Sequence, residues 1–96
     1  METLDERLVG TWVTEHEDSS ALFSIDIKES IFVVTGFDQS DGEQFEVENI
    51  MWNGTTLSFS ATMPSTGFRS KNAFRMLPDG TAELELTVYE VWKKKT

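Results

Sequence analysis

The sequence predicts an all-β fold, an up-and-down antiparallel meander of about seven to eight strands that closes into a small barrel. Apolar and polar residues alternate along most of the chain with the two-residue period of a half-buried strand. Turn sequences such as Asn53-Gly54 and Asp79-Gly80 separate the alternating segments. No amphipathic helix is long enough to cover a sheet, so the sheet must bury its own apolar face.

The 96 residues are expected to form a single β-barrel domain over residues 1–96. The first element is a helical turn, because Thr3-Leu4-Asp5-Glu6 matches a capping box and predicts one or two turns through about Val9. Leu4 and Leu8 would then share one face.

Seven strands follow, and each has one apolar face. The predicted segments are 11–16, 22–28, 31–37, 44–52, 55–63, 68–77 and 81–92. Asn53-Gly54 is the strongest turn signal and predicts a two-residue type I′ turn. The residues expected in the core are Trp12, Phe23, Ile25, Leu57, Phe59, Phe74, Leu84 and Leu86.

Two features do not fit a simple barrel. In the strand 44–52, Met51 belongs to the inward set, yet Ile50 and Trp52 are apolar on the other face. Either a bulge near Asn49 re-aims the register, or another chain covers the outer face.

In addition, seven antiparallel strands would close with a parallel pair. This leaves three alternatives: an eighth strand, incomplete closure, or a partner chain at the open edge.

The segment Gly10-Thr11-Trp12, placed between a short N-terminal turn and the meander, resembles the start of the calycin superfamily. That superfamily includes lipocalins, fatty-acid-binding proteins and avidin-like barrels. The resemblance implies that Trp12 packs at the closed end of a barrel. It also implies that a small apolar molecule or vitamin binds in the open end opposite.

Composition excludes several classes of function. Seventeen acidic residues against eight basic ones give a net charge of −9, which disfavours binding to a nucleic-acid backbone. The absence of cysteine excludes disulfides, thiolate metal sites and cysteine nucleophiles. It also favours a reducing compartment. Since no signal peptide or membrane span is visible, we expect a cytoplasmic protein without membrane partners.

Few residues carry chemistry of their own. His16 is the only histidine, and a single histidine without cysteines makes a poor zinc site, so we interpret it as a solvated loop residue. The loop 38–43 does not have the spacing of a calcium loop and is interpreted as a hairpin turn. No nucleophile–base pair stands out. We therefore predict no catalytic residue, metal site or cofactor, and rank an enzyme last.

The predicted function is a binding module that holds a small apolar or aromatic molecule in the barrel. The candidate ligand-binding residues are Phe59, Phe68, Ser70, Asn72, Phe74 and Glu90. The polar members could orient a ligand. Alternatively, Ser70 and Asn72 lie near a water-filled end and Glu90 at the barrel lip. The competing function is a structural or regulatory interaction domain with a filled core and no ligand.

We also expect a homodimer, formed through an outer face or an edge of the sheet. This expectation is based on the apolar residues outside the inward sets, which are Ile50, Trp52, Leu77, Tyr89 and Val91, with Trp92 beside them. The competing interpretation is that the Trp92 region folds back over the barrel end.

Overall fold

In the computed structural model, which describes residues 3–13, 21–89 and 94, the chain forms two antiparallel sheets and one short 3₁₀ turn. The turn spans Glu6–Leu8, and the strands are β1 Gly10–Val13, β2 Ala21–Lys28, β3 Ile31–Asp38, β4 Glu46–Trp52, β5 Thr56–Thr62, β6 Arg69–Met76 and β7 Ala82–Tyr89. The first sheet has the order β1-β2-β3, and the second has the order β4-β5-β6-β7. The predicted all-β class is confirmed.

The two sheets meet at a corner between β3 and β4. Phe37 and Gln44 form an isolated antiparallel bridge there. The Phe45 amide donates to the Gly36 carbonyl oxygen at 2.9 Å, and the Asp38 amide donates to the Glu43 carbonyl oxygen at 2.8 Å. The meander therefore continues from one sheet to the other, with these bonds holding the corner.

The predicted closure into a barrel is not seen. Within the described residues no ladder joins β1 to β7, and each of these strands lies at the edge of its own sheet. The described part of β1 has four residues against eight in β7, which limits the pairing that it could offer. Of the alternatives raised by the odd strand count, incomplete closure describes this arrangement.

The core lies between the facing sides of the two sheets. Its buried members are Leu8, Phe23, Ile25, Phe32, Val34, Leu57, Phe59, Ala61 and Phe74. Most of the predicted core residues are among them, and Trp12 packs against the cluster while half-buried. The prediction is wrong for Leu84 and Leu86, which are exposed on β7. Their alternation with glutamates is that of a half-buried strand, but the first sheet does not extend over them.

Of the two alternatives raised for the strand 44–52, the bulge is the one that the structure shows in β4. The register with β5 shifts between Glu48 and Met51, and Asn49 has a φ of 56°. As a result Met51 is exposed, whereas Trp52 turns inward. The Trp52 ring lies 5.2 Å from that of Phe32. The interpretation of Trp52 as an outer-face residue is therefore wrong, because the extra residue reverses the alternation.

The N-terminal turn begins two residues later than predicted. Asp5, not Thr3, is the N-cap, and its carboxylate accepts a hydrogen bond from the Arg7 amide at 3.1 Å. The Arg7 guanidinium also donates to this carboxylate, which holds the pKa of Asp5 below its usual value. Leu8 follows as a fully buried residue, and Leu4 packs against the same cluster. The turn therefore attaches the N-terminal segment to the core.

The hairpin between β4 and β5 differs from the predicted type I′ turn. The Asn53 amide donates to the Thr56 carbonyl oxygen at 3.3 Å, so the two turning residues are Gly54 and Thr55. Only Gly54 of these residues has a positive φ, at 98°. Asn53 therefore precedes the two central positions. Its carboxamide oxygen accepts hydrogen bonds from the Thr55 and Thr56 amides.

Truncation of Phe59 tests where the core lies. Phe59 is 1% exposed, and its ring is 5.0 Å from Phe23 and 5.9 Å from Phe74. We expect Phe59→Ala to lower the free energy of unfolding by about 3–5 kcal/mol in urea denaturation. Phe37→Ala, at an exposed ring, should lower it by less than half as much. Equal losses would contradict this assignment of the core.

Candidate functional site

A cavity of about 290 Å³ lies between the two sheets at one end of the core. Its lining residues are Ala21, Phe23, Asp38, Phe45, Ala61, Met63, Phe68, Ser70, Asn72, Leu84 and Leu86. Three of these residues are exposed and form its open side: Phe68, directly before β6, and Leu84 and Leu86 on β7. The lining is mainly apolar and aromatic, which is the common character of small-molecule sites.

The cavity is at the end remote from the N-terminal turn. Near that turn, the Trp12 indole nitrogen donates to the Leu8 carbonyl oxygen at 2.8 Å, and the Trp12 ring lies 6.2 Å from Phe74. Phe74 is four residues along β6 from Ser70, or about 13 Å at the rise of a strand. The turn therefore blocks one end of the space between the sheets and leaves the other open.

Two buried polar side chains interrupt the apolar wall. Ser70 and Asn72 are only 7% and 1% exposed, and they share the inward face of β6 because they are two residues apart. The Asn72 side-chain nitrogen donates to the Ser70 hydroxyl oxygen at 3.1 Å. The pair thus satisfies part of its hydrogen-bonding capacity internally.

The remaining capacity of Asn72 is on the cavity side. Its carboxamide oxygen accepts no hydrogen bond from a described residue. Among the same residues, every fully buried side-chain nitrogen or oxygen has a hydrogen-bond partner, so this unpartnered oxygen is not fully buried. Since Asn72 lines the cavity, its oxygen is accessible from there. This oxygen can accept a bond from a ligand hydroxyl or amine.

One carboxylate links two loops beside the cavity. Glu43, in the loop after β3, accepts bonds from the Ser65 amide at 3.0 Å and the Ser65 hydroxyl at 2.8 Å. Ser65 belongs to the turn between β5 and β6. Phe45 and Met63, which line the cavity, lie two residues from this contact on either side. The contact therefore joins two loops that each lead to a lining residue of the cavity.

The loop 38–43 is a hairpin turn, as interpreted from its sequence. The Gly42 amide donates to the Asp38 carbonyl oxygen at 2.7 Å, and Gly42 has a φ of 77°. The Asp38 carboxylate accepts bonds from the Ser40 amide and hydroxyl. The described residues contain no group of three side chains that could hold a metal ion.

The predicted site residues divide into three sets. Phe68, Ser70 and Asn72 line the cavity, whereas Phe59 and Phe74 stack on each other in the core. Glu90 alone makes the third set and lies outside the described residues, as do three residues named for other reasons in the sequence analysis, His16, Val91 and Trp92.

Sequence reasoning missed the other lining residues. Phe45 and Met63 lie in alternating segments of the sequence, but nothing local shows that they meet across the corner. Leu84 and Leu86 were assigned to the core because the incomplete cover of β7 is invisible in the sequence.

A second concavity, of about 450 Å³, lies along β3 and the corner. Its lining residues are Ser24, Val34, Thr35, Gly36, Phe37, Gln44, Phe45 and Val47. The polar members of this set are exposed or half-buried, so none is an oriented group within an apolar wall. The smaller cavity is therefore the better candidate site.

Comparison with protein-family models, curated proteins and solved structures finds no match to this chain. The geometry of the cavity is thus the main basis for a functional interpretation. In the described part of the chain, no helix has the length and apolar character needed to cross a membrane.

Removing the Glu43 carboxylate should loosen the contact between the loop after β3 and the turn between β5 and β6. We expect Glu43→Ala to accelerate hydrogen exchange at the Ser65 amide and to lower the free energy of unfolding by about 1 kcal/mol, because two bonds are lost at an exposed site. Glu46→Ala, at an exposed glutamate for which the structure shows no such bond, is the matched control. Unchanged exchange at Ser65 in Glu43→Ala would show that the contact does not hold the loops.

The Ser70–Asn72 pair should behave as a unit in unfolding measurements. Ser70→Ala alone leaves a buried amide donor unpaired and should cost about 1–3 kcal/mol. The double variant Ser70→Ala/Asn72→Leu removes both partners and should be within about 1 kcal/mol of the wild type, or more stable. A double variant that loses the sum of the Ser70→Ala and Asn72→Leu effects would show that the two side chains contribute independently, and would contradict this prediction.

Proposed function

We propose that this protein is a small binding module that holds a compact aromatic or apolar molecule with one hydrogen-bond donor. The observation that carries the proposal is the Asn72–Ser70 pair, buried in the wall of an otherwise apolar cavity. Binding without chemical conversion of the ligand is the proposed activity.

The size of the cavity supports a ligand of about two fused rings. An apolar protein cavity of about 150 Å³ holds benzene. The cavity between these sheets has roughly twice that volume, about 290 Å³, and remains open on one side. Phe23 and Phe45, with ring centroids 5.7 Å apart, would contact the faces or edges of such rings.

The polar pair supports a ligand with a hydroxyl or amine group. A buried amide in an apolar wall is destabilising unless it is hydrogen-bonded. Leucine at position 72 would fill the same face without that penalty, so Asn72 is more easily explained by recognition than by packing. The free carboxamide oxygen accepts from the ligand, while the amide nitrogen remains bonded to Ser70.

The calycin resemblance belongs to this proposal. In that family a tryptophan on the first strand packs at the closed end, and the ligand binds at the other. Trp12 packs beside Leu8 and Phe74, and the cavity begins at its ladder neighbour Phe23 and extends away from the N-terminal turn. We propose a calycin-like binding mode in an incompletely closed meander.

One observation favours the competing function, a protein-interaction domain. The inward face of β7 presents Leu84, Leu86 and Val88 to solvent. Exposed apolar residues grouped on one strand are typical of interaction sites. The two functions differ in a measurable way, because only the first requires a small molecule in the cavity.

Paired probes test the proposal directly. We expect 2-naphthol to bind the wild-type protein about 2–10-fold more tightly than naphthalene, because its hydroxyl can donate to the Asn72 oxygen. Isothermal titration or the fluorescence of the probe measures both affinities. In Ser70→Ala/Asn72→Leu the preference for 2-naphthol should disappear while naphthalene still binds.

Two alanines provide the control for the cavity itself. Ala21→Phe fills the cavity and should weaken both probes about tenfold or more, whereas Ala73→Phe, on the outer face of β6, should leave both affinities unchanged. Equal effects of the two substitutions, or no binding of either probe to the wild type, would contradict the proposal. Native mass spectrometry of protein purified from its own host should in addition show a bound small molecule.

A further inference from the structure

The strand β7 carries a row of apolar side chains that the first sheet leaves uncovered. Leu84, Leu86 and Val88 are 40%, 55% and 39% exposed. Their neighbours in the ladder on β6 are Phe74, Asn72 and Ser70, which are all buried. The first sheet therefore covers the inward face of β6 but not that of β7. The three exposed residues, here called the apolar row, lie at the uncovered edge of this face.

The same strand is an edge of its sheet. In the described part of the chain β7 pairs with β6 alone, over eight residues. An edge strand presents a row of backbone amides and carbonyls that can pair with another strand. An uncovered apolar face and an unpaired backbone edge thus coincide on one element.

We propose that a second copy of this chain pairs through β7, antiparallel, about a two-fold axis at Leu86. The two four-stranded sheets would join into one of eight strands, with both apolar rows on the same face. This arrangement requires a two-fold axis perpendicular to the sheet, because such an axis keeps the inward faces of both copies on the same side. The proposal does not depend on ligand binding.

The charges on β7 select this register. With the axis at Leu86, Glu83 faces Tyr89 of the partner subunit and Glu85 faces the partner's Thr87. An axis at Glu85 would place two copies of that carboxylate opposite each other, and an axis at Leu84 would place Glu83 opposite Glu85. Like charges directly opposite each other are destabilising, so both registers are disfavoured.

An axis at Thr87 also avoids opposed carboxylates, but it carries fewer apolar pairs. It would leave Glu83 and Leu84 opposite positions beyond the end of β7 at Tyr89. With the axis at Leu86, by contrast, Leu84 faces Val88 of the partner subunit and Leu86 faces its own copy. All three residues of the apolar row are then paired within the strand.

The interface would be small and dependent on salt. Eight residues span about 26 Å, which is short for a stable interface, so we expect a dimer that forms over roughly 1–100 μM. Each copy carries a net charge of −9, and screening of that repulsion should favour the dimer. Leu84 and Leu86 also line the cavity, so the second copy would lie along its open side.

Sedimentation velocity of the full chain at several concentrations and salt levels tests the proposal. We expect Leu86→Lys to weaken dimerisation at least about tenfold. Ile31→Lys, which changes an equally exposed aliphatic residue on β3, is the matched control and should leave dimerisation unchanged. Circular dichroism verifies that both variants are folded.

Cysteine cross-linking then measures the register, since the chain has no cysteine of its own. Leu86→Cys should give a disulfide-linked dimer on mild oxidation, because residues at the axis of an antiparallel pair have Cβ atoms about 4.5–5.5 Å apart. Glu85→Cys and Ile31→Cys should cross-link at least about tenfold more slowly.

The outcomes separate cleanly. A salt-strengthened dimer that is sensitive to Leu86→Lys, with fast cross-linking at position 86, supports the proposal. A monomer at all concentrations, or a dimer that is unaffected by Leu86→Lys, overturns it. Fast cross-linking at Thr87→Cys in place of Leu86→Cys would overturn the proposed axis.

Discussion

The packing of Phe23 between the sheets is the interaction on which the rest of this structure depends. Its ring, on β2, lies 5.0 Å from Phe59 on β5 and 6.3 Å from Phe74 on β6, and it also contacts Phe45 after the corner. Gly36 faces Phe23 across the β2–β3 ladder. A Cβ at Gly36 would be 2.5 Å from the ring, so only glycine lets this aromatic residue lie there.

One side of the second sheet is open because the first sheet, held by Phe23, covers only part of it. Phe23 brings β2 over β5 and β6, and the side chains opposite it are buried. Since no described strand of the first sheet lies over β7, the inward residues of β7 remain exposed. The cavity and the uncovered edge are therefore two results of one mismatch in width between the sheets.

The polar pair on β6 occupies part of the limited interior of a small domain. A chain of this length has a modest core, so a buried amide occupies a position that an apolar side chain could use for stability. Asn72 keeps one bond to Ser70 and leaves its oxygen accessible from the cavity. That arrangement suits a binding site better than a filled core.

Local patterns in the sequence determined the all-β class and the position of each described strand, because alternation and turn residues act over a few positions. They left the bulge near Asn49 as one of two alternatives, which the register between β4 and β5 decided. Tertiary structure alone decided which inward faces are covered. Leu57 and Leu84 have the same alternation, yet one is buried and the other exposed. The reason is that burial depends on the strand that lies opposite, and closure, the cavity and the free edge of β7 all depend on that long-range packing.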